Sequence, residues 1–330
     1  MATSRTRYLF IRILEACNAD CFMCRFALSQ DRYRFTLEEF EGLLPDARTL
    51  GVGIVRFTGG EPLLHADVVA LVRAGTDAGM KMSVITNGAL LPAMIRALSQ
   101  AGLAQVIVSV DGASAETHDY YRNTPGLFDK CAAGLALARD HGVLTRVNTV
   151  VGPHNYEEMP RLQRRLTDLG VSQWELSAIK LEGPIAYRDP EHVRAVCEAM
   201  YDGGPRAALI PMGKRFYGDT EEERRLFFES GVTPRPGPPA CHLVGDVIYL
   251  DAKGGRGFGC SLLPHRSADE SGGGVLMRTD RRWTLDGADF DEHVRVFRAA
   301  GPTVCRGCST TAAGYSDDVA RSRLVAAWHF

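Results

Sequence analysis

The sequence predicts an α/β fold, in which a partial parallel barrel of six β/α units is followed by a small α+β domain. Two observations lead to this prediction. Short β-rich runs alternate with helical patterns over about the first 180 residues, which is typical of parallel βαβ units. Beyond residue 235 the alternation stops and turn-rich segments with Gly and Pro take its place. Six units are two fewer than a closed (β/α)8 barrel has, so we expect a partial, TIM-like barrel.

Each predicted strand is a short apolar run, and five of the six are followed by a segment of helical periodicity. The first helix has Thr36 as its predicted N-cap, and Pro45 is expected to end or kink it. The predicted strands are 8–14, 54–57, 82–85, 106–110, 144–151 and 174–179. The predicted helices are 36–44, 67–78, 92–100, 127–141 and 156–169.

The predicted domain boundaries follow from the same pattern. Residues 1–184 are assigned to the barrel, and residues 185–239 form a charged, helix-like linker region that ends in a Pro-rich stretch. Residues 240–330 form the small domain, where we expect a hairpin over 247–259 and a short helix over 292–299.

Composition and charge exclude several classes of protein. The chain has 330 residues, of which 45% are hydrophobic and 24% are charged, and this excludes a disordered, collagen-like or coiled-coil chain. A net charge of -2 gives no electrostatic reason for nucleic acid or an anionic membrane as a partner. We see no secretory cleavage site and no apolar run of about 18 residues, so we expect a cytoplasmic protein with no membrane partner.

The cysteines carry the strongest chemical signal. Their number, 9, is odd, so they cannot all pair in disulfides within the chain, and in a reducing compartment clustered cysteines more often bind metal. A C-x3-C-x2-C loop directly follows the first strand and consists of Cys17, Cys21 and Cys24. A second group lies in the small domain and consists of Cys241, Cys260, Cys305 and Cys308. Two lone cysteines on helical patterns, Cys131 and Cys197, are expected to be buried as small hydrophobic side chains.

The two groups differ in the metal they favour. Three thiolates within eight residues can reach one metal centre, and an iron–sulfur cluster with only three cysteines keeps one iron open for an outside ligand. Zinc would need a fourth Cys or a His close to this loop, and the sequence has none there. The four distant cysteines fit either a second cluster or structural zinc.

Unusual residues follow each of the first four predicted strands, where the chemistry of parallel α/β folds is located. Gly59-Gly60-Glu61-Pro62 follows the second strand, and Thr86-Asn87 follows the third. Together with the cysteine loop, this order of motifs resembles the radical S-adenosylmethionine (SAM) superfamily over residues 8–180. The four C-terminal cysteines resemble the SPASM/twitch extension, in its shorter twitch form.

The resemblance implies two cofactor sites. The three loop cysteines would hold a [4Fe–4S] cluster whose open iron binds SAM, and an electron from the cluster would release a 5'-deoxyadenosyl radical that abstracts hydrogen. The four C-terminal cysteines would hold a second, auxiliary [4Fe–4S] cluster. A flavodoxin- or ferredoxin-type protein would donate the electron, and the substrate would be a small molecule.

The resemblance also implies how SAM is held. Gly59, Gly60 and Glu61 would grip its amino group, because glycines allow close backbone approach and a carboxylate accepts from an ammonium. The guanidinium of Arg122 would pair with its carboxylate. Met23 stands where the family usually has an aromatic residue, which makes packing against the adenine different here.

Further residues at the strand ends would complete the pocket. Thr86 and Asn87 would line it, and Ser109 and Asp111 would bind the ribose hydroxyls. Two residues of the fifth strand would approach the adenosine: Asn148 and Val150. Each of these residues also has a plainer explanation, as a turn residue, a helix cap or a surface charge, and no catalytic side chain is assigned.

Three substrate classes remain open: a small sugar-containing molecule, a ribosomally made peptide, and a partner enzyme that is activated by a radical or by formylglycine. The Cys-x3-Cys-x-Met-Cys loop resembles that of cytosylglucuronic acid decarboxylases of blasticidin-type nucleoside biosynthesis. We therefore expect a decarboxylase of a glucuronosyl nucleoside in antibiotic biosynthesis, with a twitch-type dehydrogenase of an aminocyclitol or sugar alcohol as the alternative, and a peptide-modifying maturase as the alternative of another class. Candidate cations for a substrate carboxylate are Lys180, Arg188, Lys214 and Arg215.

Overall fold

A computed structural model of the chain describes residues 7–24, 29, 31–179, 189–201, 209–212, 215–218, 220–230, 247–251, 256–258, 276–279, 282–283, 292 and 295. Its strands are β1 Arg7–Arg12, β2 Val52–Thr58, β3 Lys81–Thr86, β4 Leu103–Ser109, β5 Leu144–Val151, β6 Gln173–Ala178, β7 Val247–Asp251, β8 Arg256–Phe258, β9 Leu276–Thr279 and β10 Arg282–Trp283. Its helices are α1 Leu37–Thr49, α2 Val68–Asp77, α3 Leu91–Gln100, α4 Ala115–Arg122, α5 Leu127–Asp140, α6 Met159–Asp168, α7 Pro190–Tyr201 and α8 Glu221–Ser230.

The strands form one sheet in the order β10-β9-β8-β7-β1-β2-β3-β4-β5-β6. Strands β1 to β5 each pair in parallel with the next strand along the chain, so that β1 to β6 form a continuous parallel sheet and confirm the predicted partial barrel. The sheet extends further than predicted, because β7 pairs in parallel with β1 and makes a curled half-barrel of seven parallel strands. Strand β7 also pairs in antiparallel fashion with β8, as expected for the predicted hairpin.

The start of α1 follows the predicted capping pattern. The Glu39 N–H donates to the Thr36 hydroxyl at 3.1 Å, and the Thr36 N–H donates to the Glu39 carboxylate at 2.8 Å. The predicted end at Pro45 was wrong, because the helix continues to Thr49. Pro45 lies on the exposed side of α1, while buried apolar residues before and after it hold the helix on the core.

Helix α4 was absent from the prediction. Its sequence, AETHDYYR, is mostly polar, and only His118 and Tyr121 are buried, so no apolar periodicity marks it. It ends in Asn123, which adopts a left-handed conformation. The helix lies directly after the end of β4 and brings Arg122 to the edge of the sheet where the cysteine loop lies.

The two faces of the sheet differ in chemistry. The outer face packs against the helices through a continuous apolar core that includes Leu9, Val55, Val84 and Val108. The inner face of the half-barrel carries many polar side chains, which are described with the site below. Within the described part of the chain, we find no helix with the length and apolar character needed to cross a membrane.

Candidate functional site

The loop after β1 brings the three predicted cluster cysteines together. Cys21 is buried, Cys17 is half-buried and Cys24 is exposed. The Cys24 N–H donates to the Cys21 carbonyl at 2.9 Å and closes a tight turn. Burial raises the pKa of the Cys17 and Cys21 thiols, and a thiolate at Cys24 raises both further. The tight turn thus keeps Cys24 close to Cys21 in the loop.

Two side chains from other elements place N–H groups beside these thiols. Asn87 Nδ2 lies 3.8 Å from Cys17 Sγ, and Arg122 Nη1 lies 3.9 Å from Cys21 Sγ. Asn87 Nδ2 also donates to Asn18 Oδ1 at 2.8 Å, which ties the end of β3 to the cysteine loop. Donors of this kind stabilise negative charge on sulfur and orient metal ligands.

Three thiolates in one loop are a donor set of the kind that an iron–sulfur cluster takes. Among the described residues, no three His, Cys, Asp or Glu side chains converge closely enough to hold one ion. In a cubane each thiolate binds its own iron, so the ligands need only surround a common space. Cys17, Cys21 and Cys24, with the two N–H donors beside them, are the residues that would hold such a cluster.

The two glycines after β2 let that strand end lie against the cysteine loop. A Cβ on Gly60 would lie 2.2 Å from the Ala16 carbonyl oxygen, and one on Gly59 would lie 2.4 Å from the Leu14 carbonyl oxygen. The Gly60 N–H donates to that same Leu14 oxygen at 3.0 Å. These positions therefore require glycine for a backbone-to-backbone approach within the protein. Contact of this segment with SAM stays a prediction.

Glu61 is fully buried and joins the ends of β2 and β3. Its carboxylate accepts from the Thr86 hydroxyl at 2.7 Å, the Asn87 N–H at 2.7 Å and the Leu63 N–H at 2.9 Å. Burial raises the pKa of Glu61, while these three hydrogen bonds lower it. The contacts of both Glu61 and the Thr86 hydroxyl are thus with the protein, and the expected contact of Glu61 with an ammonium stays a prediction.

Asp111 and Arg122, predicted to bind different parts of SAM, are each other's partner. Arg122 Nε donates to Asp111 Oδ2 at 2.6 Å, and Asp111 Oδ1 accepts from the Val150 N–H at 2.8 Å. Asp111 is fully buried. With Nε held by Asp111, Nη1 of Arg122 lies 3.9 Å from Cys21 Sγ, so Asp111 is placed to position Arg122.

Ser109 and Asn148 lie side by side on neighbouring strands and are both half-buried. Arg146 Nε donates to Asn148 Oδ1 at 3.0 Å. Because the Nε of arginine can only donate, the amide oxygen of Asn148 must face it, and the NH2 group is left for another acceptor. Val150, two residues further along β5, is also half-buried. The three residues remain predicted contacts of the adenosine.

Sequence reasoning missed the charged inner face of the half-barrel below this edge. Arg56 is buried and donates to Gln105 Oε1 at 3.0 Å and to Ser83 Oγ at 3.2 Å. Its guanidinium also lies over the rings of Phe10 and Tyr8, at 5.1 and 5.8 Å. Burial lowers the pKa of Arg56 to about 9, and the charge of Arg146 adds to this effect.

A second inner-face guanidinium has a carboxylate partner. Arg146 forms a buried ion pair with Glu175 of β6, whereas within the described part of the chain Arg56 has no carboxylate partner. The signal that could have found both arginines is a charged residue in the middle of a strand that is paired on both sides.

Most of the remaining predicted residues are outside the part of the chain that the structure describes. Lys180, Arg188 and Lys214 lie outside the described residues, and the Arg215 guanidinium lies 5.4 Å from the centre of the Tyr201 ring of α7. The auxiliary-site cysteines, Cys241, Cys260, Cys305 and Cys308, also lie outside them. Cys131 and Cys197 are buried, as predicted.

Comparison with known proteins agrees with this geometry. Residues 11–166 match the model of the Radical SAM superfamily. This part of the chain is thus similar to a radical SAM domain. An AdoMet-dependent heme synthase of Methanosarcina barkeri is 34% identical over 171 residues, which cover 51% of this chain and 49% of the relative. A probable GTP 3',8-cyclase of Saccharolobus solfataricus is 31% identical over 199 residues, or 58% of this chain and 63% of the relative.

The fold of the chain recurs in solved structures. The crystal structure of native anSMEcpe with bound AdoMet has a TM-score of 0.62 at 16% identity, covering 98% of this chain and 97% of that chain. At this identity the match shows the fold alone. The chain spans about half the length of the heme synthases that it matches.

Proposed function

We propose that the chain is a radical SAM enzyme that holds a [4Fe–4S] cluster on Cys17, Cys21 and Cys24. The observation that carries the proposal is the meeting of the cysteine loop with the ends of β2, β3 and β4 at one edge of the sheet. When bound, the cluster and SAM supply the one-electron chemistry that makes a hydrogen-abstracting radical. Everything else at the site is binding, orientation and exclusion of water.

Each strand end has a separate task in this proposal. Asn87 and Arg122 place N–H donors beside two cluster cysteines, and Asp111 holds Arg122 in position. Ser109 and the Asn148 amide face the interior side by side, where they would bind the ribose hydroxyls and the adenosine of SAM. Glu61 holds the β2 and β3 ends at a fixed separation by accepting from both.

For the substrate we propose a glucuronosyl nucleoside such as cytosylglucuronic acid, which the enzyme would decarboxylate. The charged inner face supports an anionic substrate, because Arg56 adds a buried positive charge that no described carboxylate neutralises. A matched relative is named for a reaction of GTP, which is also an anionic nucleoside derivative. Hydrogen abstraction from the hydroxyl-bearing sugar carbon beside the carbon that carries the carboxylate would leave a hydroxyalkyl radical. This radical would lose carbon dioxide while the carbon that carried the carboxylate takes up a proton. One electron and one proton from an external donor would then complete the product.

The test of this proposal uses anaerobically reconstituted protein, SAM, dithionite and cytosylglucuronic acid. We expect 5'-deoxyadenosine and carbon dioxide in equal amounts, and neither product from the Cys21→Ala variant. Deoxyadenosine without carbon dioxide would refute decarboxylation. An oxidised sugar would then favour the dehydrogenase, and turnover of a peptide in place of the nucleoside would favour a maturase. Replacing dithionite by a reduced flavodoxin or ferredoxin tests the proposed electron donor.

We also propose that Cys241, Cys260, Cys305 and Cys308 hold an auxiliary [4Fe–4S] cluster. Two clusters require about eight irons per chain, whereas one cluster with structural zinc requires about four irons and one zinc. Metal analysis of the reconstituted wild-type protein, and of the Cys305→Ala variant, separates the two possibilities. In the variant we expect the loss of about four irons, and a loss of zinc would contradict the proposal.

A further inference from the structure

A buried chain of hydrogen bonds connects the ends of β3 and β4 from behind the candidate site. The Asp111 N–H donates to His118 Nδ1 at 3.0 Å. His118 Nε2 lies 3.8 Å from Cys131 Sγ, and Cys131 Sγ lies 3.2 Å from the Asn87 carbonyl oxygen. The chain therefore begins at Asp111, passes through α4 and α5, and ends at Asn87.

The direction of every donor in this chain is fixed by its ends. Because the Asp111 N–H can only donate, His118 Nδ1 must accept, so the ring proton resides on Nε2 and faces the Cys131 sulfur. Cys131 Sγ lies 3.2 Å from the Asn87 carbonyl oxygen and 4.0 Å from that of Ser109, so its one proton is donated to the nearer carbonyl, that of Asn87. The same arrangement needs a neutral imidazole and a protonated thiol. Burial lowers the pKa of His118 to about 4 and raises that of Cys131 to about 12, so both forms persist at neutral pH.

Close packing makes this chain the support of the turn after β3. Gly88 has a φ of +86°, which favours glycine, and a Cβ there would lie 2.7 Å from Cys131 Sγ. The Cys131 sulfur thus lies directly against the Asn87-Gly88 turn. His118 is fully buried, and its ring lies 5.9 Å from that of Phe128 on α5.

We propose that His118 and Cys131 are positioning residues that set the separation of Asn87 and Asp111 and thereby the affinity for SAM. Asn87 contacts Cys17 directly, and Asp111 reaches Cys21 through Arg122, so the His118–Cys131 bridge controls two of the contacts to the cysteine loop. This inference rests on the proposed function, since it takes SAM as the ligand of these strand ends. Neither residue touches SAM in this proposal.

A matched control is Cys197, which is also a fully buried cysteine but lies on α7, away from the strand ends. The experiment measures the Kd of SAM by equilibrium dialysis with reconstituted holoenzyme, together with iron content and Tm. For Cys131→Ala we expect unchanged iron and a Kd raised about threefold to tenfold, as the loss of one hydrogen bond gives. Cys197→Ala should lower Tm about as much as Cys131→Ala does, but it should leave the Kd of SAM within about twofold of wild type.

Conservative variants separate positioning from packing. Cys131→Ser keeps a donor to the Asn87 carbonyl, so we expect it to restore the Kd to within about twofold of wild type. His118→Asn keeps an acceptor near the Nδ1 position and should bind SAM more tightly than His118→Gln, which loses it. The histidine pair also keeps the proposal testable if the Cys131 variants fail to fold.

The outcomes distinguish the two levels of the proposal. Equal Kd values for Cys131→Ala and Cys197→Ala, or a serine variant no better than alanine, would overturn the bridge and leave the radical SAM function intact. A wild-type holoenzyme with full iron that binds no SAM would overturn both. The bridge would be supported if Cys131→Ser bound SAM more tightly than Cys131→Ala, and if His118→Asn bound it more tightly than His118→Gln.

Discussion

The cysteine loop and the strand ends beneath it are built in opposite ways. The loop is partly open to solvent: Cys24 is exposed, Cys17 is half-buried, and Phe22 is 48% exposed. At the strand ends, Glu61 and Asp111 are fully buried, and their carboxylates are bonded to the protein on both oxygens. In the proposed site the loop would therefore supply the cluster ligands, and the buried strand ends would form the fixed frame that places them.

The largest expected effect is the loss of the ligands themselves. Replacing Cys17, Cys21 or Cys24 individually by Ala should remove essentially all iron of the loop cluster, about four atoms per chain, because the three thiolates have no substitute in the loop. Iron analysis after anaerobic reconstitution measures this, and Cys197→Ala is the control that should retain its iron. A Cys21→Ala variant with wild-type iron would show that the loop is not the ligand set.

Substitutions at the buried strand ends should lower the stability of the protein more than they lower its iron content. Asp111→Asn leaves the buried Arg122 guanidinium without its carboxylate, and we expect the free energy of unfolding to fall by about 3–5 kcal/mol. The matched control is Asp140→Asn, because Asp140 pairs with Arg139 on the exposed surface at 2.9 Å. That change should cost less than about 1 kcal/mol. Chemical denaturation of both variants measures the two values, and similar costs would contradict the proposed role of the frame.

The contact between loop and frame can be tested through the glycines. Gly60→Ala forces a Cβ against the Ala16 carbonyl. We therefore expect the free energy of unfolding to fall by about 1–3 kcal/mol, and the reconstituted protein to retain less iron. Gly42 lies on the exposed side of α1, and a Cβ added there would have no atom within 4 Å. Gly42→Ala should therefore stabilise the protein by up to about 1 kcal/mol. Equal effects of the two substitutions on stability and iron would show that the close approach is unimportant.

A smaller effect is expected from pH. Burial lowers the pKa of His118 from 6.5 to about 4, so in this window the unfolded chain binds more protons than the folded one. Stability is then fully present above pH 6.5 and is lost as pH falls toward 4. Between pH 7.5 and 5.5, wild type should lose roughly 1.4 kcal/mol more than His118→Asn does. Urea denaturation at both pH values measures the free energies of unfolding. An equal decrease for wild type and His118→Asn would contradict this assignment.

The sequence predicted the strands of the half-barrel better than the contacts between distant residues. Apolar runs and glycine motifs gave six strands and the edge at which the site residues meet, because these signals are local. The pairing of β7 with β1 joins residues about 240 positions apart, which no local pattern reveals. The mutual pairing of Asp111 with Arg122 was missed for a related reason: residue type predicts that a charge needs a partner, and only the fold decides which one.

We propose that Cys17, Cys21 and Cys24 hold a cluster that cleaves SAM. Reductive cleavage of SAM by the reconstituted protein tests this proposal most directly. Wild type incubated anaerobically with SAM and dithionite should form 5'-deoxyadenosine, and a variant with Cys17, Cys21 and Cys24 all replaced by Ala should form none. Formation of deoxyadenosine by both proteins, or by neither when the wild type carries its full iron, would contradict the account.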